Sequence, residues 1–158
     1  MSDVPESRAG QPPPADLGRL LWQAANHWQR ATRRGLAPLG LTQTQALLLT
    51  AALDLPAGFS QIALARASGV DVTVVSPATR GLVTAGYLQR GRGPDERTRA
   101  VQLTARGRSA ARAARQVLHH TDATFFARFT DDHQALRMVL STLSGRPVRV
   151  RAAAGRPA

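Results

Sequence analysis

The sequence has no cysteine and no lysine, few aromatic residues, and no long apolar run. Without cysteine there is no disulfide, no thiolate zinc site and no thiol redox sensor. With aromatics at 4% against 43% hydrophobic residues overall, any core must be aliphatic and alanine-rich. No stretch approaches the roughly 18 apolar residues needed to span a bilayer. The opening MSDVPESRAGQPPPAD is polar and proline-rich and lacks the apolar segment of a secretion signal. A soluble, cytoplasmic protein is expected. Enzyme signatures are missing too: there is no glycine-rich phosphate loop, no nucleophile elbow and no convincing pair of carboxylates. No enzyme activity and no cofactor are expected.

What is abundant is arginine. All 21 Lys+Arg residues are Arg, against 10 acids, for a net charge of +11 in 158 residues. A GC-rich coding sequence accounts for arginine over lysine better than for the two-to-one excess of bases over acids. The charge favours an anionic partner, and its location along the chain is more telling than its total.

Residues 1–15 read as a disordered leader, since Pro12-Pro13-Pro14 cannot join a helix interior. Asp16 is placed to cap a first helix, whose stripe is Leu17, Leu20, Leu21, Ala24, Trp28 and Ala31. Trp22 and Ala25 lie off that stripe, which suggests burial on two sides, as at a subunit interface. Gly35 and Pro38-Leu39-Gly40 end this helix. Thr42 and Gln45 form a capping-box pair for a second helix carried by Ala46, Leu47, Leu49, Thr50 and Leu53.

Ser60 caps a short third helix, with Ile62, Leu64, Ala65 and Ala67 mostly inward. Gly69 supplies the positive φ of a tight turn, and Asp71 caps a fourth helix. On that helix Val75, Ala78, Thr79 and Leu82 share one side, while Thr73, Pro77, Arg80 and Thr84 share the other. The second face has no acid, which suits a helix lying against phosphates and base edges. Beyond Gly86, Tyr87–Arg90 and Ala100–Leu103 alternate as strands around a loop containing Arg92, Arg97 and Arg99. Residues 66–108 hold eight arginines against Asp71, Asp95 and Glu96.

Thr104 caps a long alanine-rich helix running to about Thr121, with Phe125, Phe126 and Phe129 just beyond. A last helix starts near Thr130 or Asp131 and is expected to bury Leu136, Val139, Leu140 and Leu143. Residues 144–158 form a basic flexible tail. His119, His120, Asp122 and His133 invite a metal reading, but His119 and Asp122 stand alone at i,i+3, so no metal site is expected. The fold class is mainly α: a winged helix-turn-helix with a small two- or three-stranded β-wing, framed by N- and C-terminal helices.

The run Leu39-Gly40-Leu41-Thr42, the turn Gly69-Val70-Asp71, then Arg80-Gly81-Leu82, Asp95-Glu96-Arg97 and Leu103-Thr104-Ala105-Arg106-Gly107 resemble the MarR family of bacterial winged-helix regulators. The resemblance spans about residues 17–143. It implies a homodimer, with dimerisation helices at 16–36 and 104–143 and a DNA-binding region at 37–103. It also implies repression through a pseudo-palindromic site in double-stranded DNA, relieved by a small aromatic or phenolic effector. The ligand pocket would involve Trp22, His27 and Trp28, which core or dimer packing would explain as well.

For DNA, the candidate residues are Arg66, Thr73, Ser76, Pro77, Arg80, Arg92, Arg97 and Arg99. Thr73 and Ser76 could bond bases or phosphates, Arg80 a guanine or a phosphate, and Pro77 a thymine methyl. Arg66 is a phosphate candidate. Arg97 is the wing-tip residue, oriented by Asp95; the alternative is an Asp95–Arg97 ion pair that never meets DNA. Three residues depart from the family pattern: Pro77 and Val74 where polar readers are common, and Glu96 where a second base often stands. A bend at Pro77 is expected, in preference to a helix that starts late with Ser76 as its cap. The competing functions are a non-specific or architectural DNA binder and a winged helix used for protein contact.

Overall fold

The computed structural model describes residues 15–92, 99–129 and 132–145. The elements in order are α1 (Leu17–Leu36), a 3-10 turn (Ala37–Leu39), α2 (Gln43–Ala52), α3 (Gln61–Ser68), α4 (Val72–Thr84), β1 (Leu88–Arg92), β2 (Arg99–Leu103), α5 (Ala105–Phe126) and α6 (His133–Leu143). The chain divides into two compact units, one ending at Asp122 and one beginning at Ala123. The leader through Pro14, the hairpin tip 93–98 and the tail from 146 lie outside the described residues.

In the first unit, local chemistry sets most element boundaries. Thr42 Oγ1 accepts from the Gln45 N–H at 3.2 Å, and Gln45 Oε1 accepts from the Thr42 N–H at 2.9 Å, closing the capping box of α2. Ser60 Oγ accepts from Ala63 N–H at 3.1 Å to start α3. Gly69 (φ 72) makes the turn into α4, where any side chain would be strained. At the far end of α4, Gly86 (φ 75) completes a Schellman-type exit. Its N–H reaches Val83 O at 3.0 Å, and Tyr87 N–H reaches Leu82 O at 2.9 Å. Asp16 differs: its side chain makes no cap bond to α1, and its carboxylate instead lies 3.8 Å from Arg19.

β1 and β2 form a two-stranded antiparallel sheet, from Leu88↔Leu103 to Arg92↔Arg99. The strands are displaced by a residue or two from the expected ones. Val101 N–H also donates to Phe59 O at 2.9 Å, pinning the chain just before α3 against β2. Thr104 Oγ1 accepts from Gly107 N–H at 2.9 Å, capping α5, and donates to Gly86 O at 2.7 Å.

The core of this unit is aliphatic, as the composition requires. Leu36, Leu48, Leu49, Leu64, Val75, Leu82 and Leu88 are fully buried, with Ala111 and Ala114 admitting α5 closely. Several sequence expectations are corrected. Leu48, rather than Leu47, is the fully buried residue of that pair on α2, and Ile62 and Ala67 on α3 are exposed. On α1 only Thr32 and Leu36 are buried, and the expected stripe from Leu17 to Leu21 is exposed. α5 continues past Thr121 to include Phe125 and Phe126.

In the second unit, Asp132 is the cap of α6, its Oδ1 accepting from Gln134 and Ala135 N–H groups. Thr130 and Asp131, where the start was expected, lie outside the described residues. Val139, Leu140 and Leu143 are exposed rather than buried.

Candidate nucleic-acid interface

α3, Gly69 and α4 form the helix-turn-helix. Val75, Thr79 and Leu82 lock the inner face of α4 into the core. The helical period then presents Thr73, Pro77, Arg80 and Thr84 outward, and all four are exposed. Asp71 caps this helix, accepting from both the hydroxyl and the backbone N–H of Thr73. Those two bonds, the hydroxyl first, hold the Asp71 carboxyl below its ordinary value of 3.8. α4 thus begins at Val72, not at Ser76, and Pro77 lies inside it. A proline there has no N–H for the Thr73 carbonyl one turn back.

The structure brings some predicted residues together and leaves others apart. Ser76 and Arg80 share a notch of about 60 Å³ between α4 and the hairpin, lined also by Gln61, Thr79, Val83, Arg90, Ala100 and Val101. Arg66 is exposed on the last turn of α3. Arg92 and Arg99 are backbone partners at the outermost rung of the sheet. Asp95 and Arg97 lie outside the described residues.

Two residues of this notch, Gln61 and Arg90, are not among those expected from the sequence to meet DNA. The signal for Arg90 was available. Side chains alternate along a strand, so Arg90 falls on the same face as Leu88 and pairs with the buried Val101, while its own side chain stays exposed. The ion pairs seen among the described residues, Arg19–Asp16 and Arg115–Asp54, engage neither Arg80 nor Arg90. At the base of the wing, the Arg106 guanidinium sits 4.7 Å above the Tyr87 ring.

A larger cleft of about 480 Å³ lies between α2, α3 and α5, lined by residues including Leu47, Ala51, Ser68, Arg115, Leu118 and His119. Arg115 bridges it, donating to Thr50 O at 2.7 Å and to Asp54 Oδ2 at 2.8 Å. Trp22, His27 and Trp28 do not line this cleft. Trp22 is 70% exposed. Trp28 donates its indole N–H to Asp122 Oδ1 at 2.7 Å, and Asp122 is on the cleft's edge. Asp122 is thereby occupied with an indole, and the described residues contain no cluster of three metal-ligating side chains. No described helix is long and apolar enough to cross a membrane.

No protein-family model matches the chain. Individual proteins do. The HTH-type transcriptional regulator YdcH of Bacillus subtilis is 34% identical over 119 residues, which is 73% of this chain and 81% of YdcH. The HTH-type transcriptional repressor Rv2887 of Mycobacterium tuberculosis is 33% identical over 121 residues, 76% of this chain and 86% of the repressor. The crystal structure of Rv2887 in complex with DNA, described as a MarR family protein, superposes with a TM-score of 0.63 at 30% identity, covering 85% of this chain and 98% of that one. Rv2887 has also been crystallised with p-aminosalicylic acid and with salicylic acid. Wild-type MarR of E. coli superposes with a TM-score of 0.63 at 25% identity, covering 80% of this chain and 96% of that one. With identity of this level along most of its length, and with this order of helices and hairpin, the chain belongs to the MarR family of HTH-type transcriptional regulators.

Proposed function

We propose that the protein is a cytoplasmic transcriptional repressor that binds a pseudo-palindromic DNA site as a homodimer and is released by a small aromatic acid. It acts by binding rather than by catalysis. The observation that carries this reading is the exposed face of α4, which has no acid, carries Thr73 and Arg80, and is held from behind by the buried Val75 and Leu82. Thr73, Ser76, Pro77 and Arg80 would meet the major groove. Arg66 would meet the backbone, and Arg92, Arg97 and Arg99, with Asp95 orienting Arg97, would serve the wing.

Residues 37–103 form the DNA-binding region in this reading, and 16–36 and 104–143 the dimerisation helices. On α1, Leu17, Leu20, Leu21 and Trp22 are exposed together, and on α6 so are Met138, Val139, Leu140 and Leu143. Apolar side chains grouped in this way mark contact surfaces, and a second copy of the chain is the cover that the family organisation supplies. The effector would occupy the α2–α3–α5 cleft, where the Arg115 guanidinium can answer a carboxylate.

The test is fluorescence anisotropy with a duplex from the gene's own upstream region and a scrambled duplex of equal length. A repressor prefers the first by about a thousandfold or more, and salicylate weakens that binding. A specificity ratio near one at physiological salt would leave only an architectural DNA binder. Light scattering should give twice the 16.9 kDa chain mass.

A further inference from the structure

The small notch between α4 and the hairpin is built as an anion seat, and nothing in the packing of the protein requires it to be one. Arg90 follows the buried Leu88 on the same face of its strand and pairs with Val101, but its own side chain is exposed, at the rim of the core. The guanidinium shares the notch with Arg80, Gln61 and Ser76, and no described acid pairs with either arginine. Thr79 also lines it, 3% exposed, with a buried hydroxyl that has no partner among the described residues.

Two guanidinium groups brought together repel each other, so the arrangement favours an anion between them. The backbone supports this. The bond from Val101 N–H to Phe59 O fixes the first turn of α3 beside β2, and Gln61 is the first residue of that helix. The aligned N–H groups of that first turn, one of them capped by Ser60, add partial positive charge there. A volume of about 60 Å³ suits one tetrahedral oxyanion and excludes a nucleobase.

We infer that this notch seats one backbone phosphate of duplex DNA, with Arg90 and Gln61 as positioning contacts beside Arg80 and Ser76. This inference rests on the DNA-binding reading given above. It adds that the phosphate is gripped by the recognition helix, the strand base of the wing and the start of α3 together. That grip sets how deeply α4 enters the groove, independently of sequence.

The experiment uses the full chain, in anisotropy titrations with the upstream and scrambled duplexes across a salt series. Arg90→Gln should weaken binding to both duplexes by a similar factor, about tenfold. The specificity ratio should stay unchanged, and the slope of log affinity against log salt should fall by about 0.9 per subunit. Arg90→Lys should retain the slope, and Gln61→Ala should weaken both duplexes with little change of slope. Circular dichroism checks that each variant is folded, and Gln61→Ala with Arg90→Lys carries the test if Arg90→Gln is not. An unchanged affinity and slope in Arg90→Gln, or a change in the specificity ratio alone, overturns the phosphate seat. If the wild type binds neither duplex, the parent reading fails instead. Inorganic phosphate, titrated at fixed ionic strength, separates the remaining source. Binding of free phosphate that Arg90→Gln abolishes, with DNA affinity untouched, would make the notch a phosphate-ion site and overturn its assignment to DNA.

Discussion

Gly107→Ala is the most demanding test of how α5 is joined to the wing. A Cβ at residue 107 would lie 1.9 Å from Tyr87 O, 2.8 Å from Tyr87 C and 3.2 Å from a Leu103 methyl. Ordinary contact begins near 3.4 Å, so the first turn of α5 and the start of β1 must separate by about 1.5 Å. The obstacle is backbone, which no rotamer change relieves. Separation stretches the Thr104 N–H to Tyr87 O bond (3.1 Å) and the Thr104 hydroxyl to Gly86 O bond (2.7 Å). Overpacking costs about 1–3 kcal/mol, and each of the two bonds about 1 kcal/mol. A loss of about 3–5 kcal/mol follows, or about 10–20 °C in melting temperature for a chain of this size. The control is the same chemical change at Gly81, inside α4, where an added Cβ meets nothing within 4 Å. There alanine should raise stability by about 0.5–1 kcal/mol through helix propensity. Both are read by circular dichroism melts at matched protein concentration, because a dimer's melting temperature depends on it. If Gly107→Ala melts within about 2 °C of wild type, the close approach of α5 to Tyr87 is wrong.

Thr42→Ala removes the hydroxyl of the α2 capping box and should cost about 1 kcal/mol in urea unfolding, with Thr42→Ser restoring most of it. Trp28→Phe leaves the Asp122 carboxylate without its 2.7 Å indole partner and should cost about 1–3 kcal/mol, read from the urea midpoint at unchanged m-value. Asp71 governs part of the acid limb. Its folded value lies below the ordinary 3.8, so its contribution is full above 3.8 and is lost as pH falls through the lowered value. Thr73→Val deletes the larger cause of that shift. The fall of melting temperature below pH 3.8 should then be shallower than in wild type, and superimposable acid limbs would refute the assignment.

The parts of the fold legible in the sequence are those whose cause is local. A threonine with glutamine three residues on, a serine before a short apolar helix, an aspartate after Gly69: each satisfies specific backbone N–H groups whatever surrounds it. The inner face of α4 was legible for a related reason, since Val75, Thr79 and Leu82 follow one helical period against a polar opposite face. α2 gives no such contrast. Leu47-Leu48-Leu49 is apolar all round, so its buried register depends on where α3 and α5 sit. The exposed faces of α1 and α6 differ: their periodicity is real, but no described residue covers them. Arg90 escaped notice because a charged residue on a strand reads as a solvent-facing position. Its side chain is indeed exposed, and only the pairing with Val101 and the packing of α4 beside the hairpin show that it borders the notch.

That correction bears on how the recognition helix could discriminate sequences at all. The Thr73 hydroxyl donates to Asp71, and the Thr84 hydroxyl donates to Arg80 O, so neither has its proton free for a base. Pro77 has no N–H, and Val74, 44% exposed, offers only methyl groups. Two side-chain donors remain toward the groove along α4, Ser76 and Arg80, and both border the notch. A helix with so few donors discriminates only if its depth and angle are fixed, because a hydrogen bond weakens steeply once its geometry drifts. Apolar contacts from Val74 and Pro77 to thymine methyls are equally sensitive to distance. The seat formed with Arg90 and Gln61 would contribute to that fixing. Because Arg80, Ser76 and Gln61 still line the seat, loss of Arg90 alone is expected to reduce affinity on every sequence and to leave the preference among them unchanged.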